Sequence, residues 1–381
     1  MPRVPFHREF MAAKNPRRRW AFAIAAAIIV LPLVGAVWSG RRPAEFFVFP
    51  PRLDVPRDYP RFSWIAAGAV IALLAAIAGS WLRHASRSPI PAGAFRPNQP
   101  ARRFPLWGWA AVGWTLAWWF IAWTRLQIFE PIQLYTFFPL WFGFIVTVNA
   151  LIEARAGTCL MRRTPAGWLK LFAVSAAFWW MFEWLNRFVH NWHYLAVESF
   201  GPFAYAAHAT LCFSTVLPAV AAVRELLATL PRLDARITDG PAWPWLAGRA
   251  TGLLLISGGM LALLGTGVRP ADFYPALWLA PLALWWGAGI LSGAAGVPDE
   301  IARGNWHRAA PWMLAALACG FWWELWNWLS LAKWIYTVPY VDRWHVFEMP
   351  LLGYAGYLSF GLECLAATEF IGRNDQSHAG D

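Results

Sequence analysis

The sequence predicts an all-α, polytopic membrane protein of about ten transmembrane helices, with two N-terminal helices followed by a parallel 4+4 helix repeat. Three observations predict it. Of the 381 residues, 59% are hydrophobic and only 14% are charged, against about 25% charged in average soluble domains. Several apolar runs approach the roughly 20 residues needed to span a bilayer. Two distant stretches also share one signature: Phe178-Trp179-Trp180-Met181-Phe182-Glu183-Trp184-Leu185-Asn186 and Phe321-Trp322-Trp323-Glu324-Leu325-Trp326-Asn327.

Residues 1–105 form an N-terminal unit. Arg17, Arg18 and Arg19 precede an apolar run from Trp20 to Val37. A signal peptide has this layout, but Trp38 stands where a small residue would precede cleavage, so a retained signal-anchor helix is expected. The spans are expected at about 20–38, 63–82, 106–124, 137–152, 169–187, 203–223, 249–267, 275–293, 311–330 and 350–371. Arg41–Arg61 and Arg83–Pro105 are rich in Pro and Arg, lack helical periodicity and read as irregular connectors.

Residues 106–230 and 245–371 are expected as two four-helix repeats, and 372–381 as a polar tail. Phe137-Phe138-Pro139-Leu140-Trp141 opens a helix in the first, and Phe273-Tyr274-Pro275-Ala276-Leu277-Trp278 does so in the second. Each Trp-Trp/Glu/Asn helix is followed by a Trp-x-Tyr, namely Trp192-His193-Tyr194 and Trp334-Ile335-Tyr336. An even number of spans per half gives both halves one orientation, with a site at their interface.

The net charge of +11 is not a nucleic-acid footprint. Much of it lies in short loops that alternation puts on one side, including Arg83, Arg87, Arg96, Arg102, Arg103, Arg155, Arg162, Arg163 and Lys170. That bias predicts an integral protein of the cell or inner membrane with both termini cytoplasmic. Cys159, Cys212, Cys319 and Cys364 form no CxxC pair and imply neither a disulfide framework nor a zinc site.

A carboxyl inside an apolar helix is costly and is a functional-site hypothesis by default. Spacing of i, i+3 puts Glu183 with Asn186, and Glu324 with Asn327, on one helix face. Burial disfavours the charged form, so such a Glu can serve as a general acid near neutral pH. The competing reading is an interhelical hydrogen bond that glues helices together.

The chain has 29 Trp. Interfacial belts account for Trp107 and Trp344; Trp179, Trp180, Trp322 and Trp323 lie beside the acids, where ring faces can stabilise a cation or line a lipid cavity. His190, His193 and His345 are not at HExxH spacing, so no metal is expected. Glu348 precedes Pro350, which suits the first turn of a helix, and Glu363 is a further buried acid that could line the same cavity. No dinucleotide fingerprint, P-loop or nucleophile elbow is present, and no cofactor is expected.

A Trp-Glu helix, a Trp-x-Tyr loop and a helix opening around Glu and Pro together resemble membrane-integral lycopene cyclase domains. They are also similar to the fungal membrane terpene cyclases that act on meroterpenoids. The resemblance implies a carotenoid-like or other isoprenoid substrate, with Glu183 and Glu324 in the two acidic positions and Glu348 as the acid next to proline. Lycopene cyclase domains tend to place paired acids after the proline, whereas Leu351 and Leu352 follow Pro350 here.

The expected function is therefore acid/base cyclisation, isomerisation or hydration of an isoprenoid lipid. Glu183, Glu324 and Glu348 are the expected catalytic residues. Asn186, Asn327, Trp180, Trp323, Trp192, Tyr194, Trp334, Tyr336 and Glu363 are expected at the substrate. A proton-coupled lipid or small-molecule transporter and a non-catalytic membrane scaffold remain alternatives, and the oligomeric state is open.

Overall fold

The computed structural model describes residues 16–51, 59–87, 102–293 and 296–378. In chain order these form α1 (Pro16–Trp38), α2 (Trp64–Arg87), α3 (Leu106–Trp123), α4 (Phe137–Ala156), α5 (Leu160–Arg163), α6 (Pro165–Val189), β1 (Trp192–Leu195), α7 (Pro202–Phe213), α8 (Val216–Ala228), α9 (Pro231–Thr238), α10 (Arg249–Val268), α11 (Pro270–Phe273), α12 (Ala276–Leu291), α13 (Val297–Ala302), α14 (Ala309–Trp328), β2 (Lys333–Tyr336), β3 (His345–Val346), β4 (Met349–Pro350) and α15 (Gly356–His378). Within the expected connectors, 52–58 and 88–101 lie outside the described residues.

α8 is the centre of the bundle. Its residues Val216 to Val223 are all buried, and α4, α6, α14 and α15 pack around it. Lipid tails are as apolar as Leu, so helices in a membrane associate through close packing at small residues. Gly35 of α1 and Gly267 of α10 provide that closeness: a Cβ on either would lie 2.1 Å from a backbone oxygen of the other helix. Gly287 sets α12 against α10 in the same way, and Gly320 and Gly361 set α14 against α15.

The expected count of ten spans is corrected. Among the described residues, five helical stretches are long and apolar enough to cross a membrane: Arg19–Trp38, Trp64–Arg87, Phe137–Ala156, Pro202–Ala228 and Arg249–Val268. Much of the apolar bulk of α3, α6 and α14 is Trp, whose ring carries a polar N–H, and α6 also holds Lys170, Glu183 and Arg187. α12 has 16 residues. The expected span 350–371 opens as β4 and a 3-10 turn, Leu351–Ala355, before α15 begins.

The 4+4 repeat is corrected as well. The stretch 203–223 is two helices, α7 and α8, broken near Ser214 and Thr215, whereas its expected counterpart ends in the single helix α15. Ser175 fills the break: its hydroxyl donates to the Phe213 carbonyl (2.6 Å) and accepts from the Leu217 N–H (3.0 Å). The chain is not purely helical either. The two Trp-x-Tyr segments are strands, and β1 pairs with β2 antiparallel.

Candidate functional site

The register of the β1–β2 ribbon pairs Trp192 with Tyr336, His193 with Ile335, Tyr194 with Trp334, and Leu195 with Lys333. Side chains alternate along a strand, so Trp192, Tyr194, Trp334 and Tyr336 share one face. Each Trp stands opposite the Tyr of the other strand, which relates the two segments by a local two-fold through the His193–Ile335 pair.

The asparagines hold this ribbon to the helix ends. The Asn186 amide donates to the Trp192 carbonyl (2.9 Å), and its oxygen accepts the Asn191 N–H (2.7 Å). Asn327 donates to the Trp334 carbonyl (2.7 Å) and accepts the Trp334 N–H (2.8 Å). Both side chains therefore grip the backbone of the strand Trp, and neither lines the cavity below. His190, which ends α6 in the left-handed region (φ 55°), turns the chain back toward β1.

The acids meet the ribbon face. Glu183 Oε1 accepts from Trp179 Nε1 (3.0 Å), Trp192 Nε1 (3.0 Å) and the Tyr194 hydroxyl (2.7 Å). Glu324 Oε1 accepts from the Tyr336 and Tyr357 hydroxyls, both at 2.7 Å. Trp334 Nε1 in turn donates to the Tyr336 hydroxyl oxygen (2.7 Å). Glu324 Oε2 is buried with no hydrogen-bond partner among the described residues. Burial, then the Glu183 charge, pushes the Tyr194 phenol well above its ordinary range, and burial, then Glu324, does the same to Tyr336. Both phenols thus remain protonated donors.

Under the ribbon lies a cavity of about 580 Å³, within the roughly 300–1,000 Å³ of small-molecule sites. Trp192, Tyr194, Trp334, Tyr336, Trp179, Trp278, Trp323, Tyr357 and Phe360 all line it. Glu183 and Glu324 do not line it; each stands one layer back and reaches the cavity through a tyrosine hydroxyl.

The remaining expected site residues separate. Trp180 donates to Thr210 Oγ1 (3.1 Å) and is not in the wall. Pro350 ends β4 and caps the 3-10 turn Leu351–Ala355, so Glu348 does not stand at the start of the α-helix α15. Glu348 lies in the β3–β4 turn and forms an ion pair with Lys333, a wall residue. Glu363 is buried in α15 with neither oxygen hydrogen-bonded among the described residues, behind the wall residue Leu362. His193 bonds Thr337 Oγ1 (3.0 Å) on the other ribbon face. Among the described residues, no group of three or more His, Cys, Asp or Glu could hold a metal ion.

Sequence reasoning missed Tyr357, Phe360, Trp278 and the stripe of α2 that closes one side. Tyr357 had a signal: Gly320 lies one turn before Glu324, and the Tyr357 ring occupies the space a Gly320 Cβ would need.

Fold and site together define a helix-rich, tryptophan-rich, membrane-associated protein with an aromatic cavity. No family model, no curated protein and no solved structure matches the chain.

Proposed function

We propose that this is an integral membrane enzyme that holds one long isoprenoid or carotenoid-like lipid in the cavity and moves a proton at each of two Tyr–Glu pairs. The observation that carries the reading is that both buried acids address one apolar, aromatic cavity through tyrosine hydroxyls. A phenol backed by a carboxyl is a proton relay with one end in an apolar space. Trp and Phe faces around it stabilise positive charge by their quadrupoles.

The step balances without a redox partner. Glu324 starts as the neutral acid and Glu183 as the carboxylate: a Tyr336 or Tyr357 O–H breaks as a C–H bond forms at one alkene carbon, and Glu324 passes its carboxylic proton to the phenol oxygen. The carbocation loses a proton from a neighbouring carbon to Tyr194, which passes its own proton to Glu183. The product is an isomer of the substrate, cyclised or with a shifted double bond; capture of the cation by water gives the hydrated product instead. In this reading both termini are cytoplasmic, and membrane lipid or isoprenoid is the partner.

The test is expression in carotenoid-producing cells with mass analysis of the lipid extract. The wild type yields a new isomeric or hydrated product. The Tyr336→Phe/Tyr357→Phe double variant lowers its rate by about 10²–10⁴, the usual worth of one positioned acid or base. A Glu183→Gln/Glu324→Gln double variant that forms product normally, or a wild type that forms none, sinks the assignment.

Proton-coupled lipid transport is favoured by one different observation. The cavity wall runs from Val341 and Met349 near one end of α2 to Trp243 and Trp306 near the other. A carrier moves lipid in liposomes only under a pH gradient, whereas the enzyme converts it in detergent with none.

A further inference from the structure

The helix α2 is fastened at its two ends and stands off from the bundle between them. At its N-terminal end the Ser63 N–H donates to the Tyr340 carbonyl (2.8 Å), and the Tyr340 N–H donates to the Pro60 carbonyl (3.2 Å). The Tyr59 hydroxyl donates to Asp342. The rings of Phe62, Trp64 and Trp344 cluster there, with the Arg343 guanidinium 5.1–5.6 Å from their centroids. Tyr340 and Trp344 hold positive φ (66° and 52°), so this fastening keeps two side-chain-bearing residues in the left-handed region. At the C-terminal end Trp81 packs edge-on against Trp306 (5.2 Å), and His84 Nε2 lies 3.2 Å from Asp239 Oδ2.

The middle is different. Ala67 is the buried residue of α2. Val70, Leu74, Ile77 and Trp81 recur at i, i+4, i+7 and i+11, which is one helical stripe, and that stripe lines the cavity instead of packing on a neighbouring helix. The stripe extends about 16 Å at 1.5 Å per residue. Off the stripe, Ile65, Ile71 and Leu82 are exposed at 87%, 50% and 71%, as suits a helix long and apolar enough to span the bilayer. α2 therefore stands between this limb of the cavity and lipid.

We infer that α2 is a removable side wall, and that a lipid hydrocarbon tail passes from the bilayer into the limb between α2 and the bundle when one end of α2 is released. The inference rests on the reading that the cavity takes an apolar molecule. A lateral path suits such an occupant, since its tail would never cross water. Acyl and prenyl tails share the chemistry the limb recognises.

The test is photolabelling of the full chain in phosphatidylcholine vesicles. One arm carries trace diazirine-tailed phosphatidylcholine, the other a diazirine-bearing polyprenol; which arm labels identifies the source of the tail. In wild type, label is expected on peptides containing Val70, Leu74 and Ile77 and on those lining the deeper cavity at Trp323 and Tyr357. A Ser63→Cys/Tyr340→Cys disulfide combined with a His84→Cys/Asp239→Cys pair joined by a short bis-maleimide should slow labelling of Trp323 and Tyr357 at least tenfold. The same variant, reduced and unlinked, should label like wild type. Val70→Trp/Leu74→Trp, which fills the limb, should lower labelling of the deeper cavity, and Ile65→Trp on the outward face should not.

Equal labelling of locked and unlocked protein overturns passage past α2 while leaving the cavity reading intact. Deep label with none on the α2 stripe does the same. No label at any cavity position overturns both.

Discussion

Replacing Gly320 with Ala tests how the second acid is positioned. A Cβ built there would lie 2.4 Å from Tyr357 Cδ2 and 2.5 Å from Cε2, far inside contact distance. The ring must move, and it carries the hydroxyl that donates to Glu324 at 2.7 Å. Two opposing terms set the size. Gly to Ala within a helix is worth about 0.5–1 kcal/mol in favour of the variant. Overpacking costs about 1–3 kcal/mol, and leaving the buried Glu324 oxygen short of a donor adds about 1–3 kcal/mol. The expected net loss is about 1–5 kcal/mol. The assay is thermal unfolding in detergent followed by Trp emission, read as a double-mutant cycle with Tyr357→Ala. In the Tyr357→Ala background the clash is gone, so Gly320→Ala should be neutral or stabilising by up to about 1 kcal/mol. Equal destabilisation by Gly320→Ala in both backgrounds would show that the Tyr357 ring does not set the cost.

Asn327→Ala removes both hydrogen bonds to the Trp334 backbone and should lower stability by about 2–6 kcal/mol, at about 1–3 kcal/mol for each buried group left unpaired; limited proteolysis near 329–340 should quicken, and unchanged cleavage would argue against the anchoring role. Gly267→Ala places a Cβ 2.1 Å from the Pro32 carbonyl oxygen, where no side chain can yield, so a larger loss than for Gly320→Ala is expected in the same melt. Burial, then Asp342, pushes the Tyr59 phenol up to about 12. The folded state therefore holds that proton more tightly than the unfolded chain. Its stabilisation is complete below pH 10 and declines toward pH 12, so the wild-type melt should fall over that window more than that of Tyr59→Phe, and identical pH profiles would count against the bond.

The Trp-x-Tyr pairs and the two Glu/Asn helices were legible because each is a local pattern repeated at a distance. Their joining was not. β1 and β2 are four-residue strands far apart in the sequence, with no hairpin turn to announce the pairing, and strand order across such a separation is set by tertiary packing. The number of spans was overstated because Trp was counted as bulk apolar surface, although its N–H needs a partner when buried. That same need explains part of the site: Trp179 and Trp192 direct their N–H groups to Glu183. The place of α2 in the cavity wall was hidden because its sequence reads as an ordinary apolar helix.

The i, i+3 spacing of each Glu and Asn suggested one polar face with both groups turned to a ligand. The geometry divides them. Glu, three residues earlier, meets side chains of the ribbon, and Asn, nearer the helix end, meets its backbone. Such a division follows from the path of the chain, since a strand that folds back over its own helix passes the last turn first. Asn fixes the strand Trp, the pleat then turns the Tyr two residues on to the same face, and that Tyr reaches the Glu. The apolar cavity thus sees a phenol rather than a carboxylate. A bare carboxylate facing hydrocarbon would be destabilised by several kcal/mol, whereas each of these carboxyls takes two or three donors on Oε1 behind a phenol. The arrangement that makes the acids tolerable in the resting protein also connects them to the cavity.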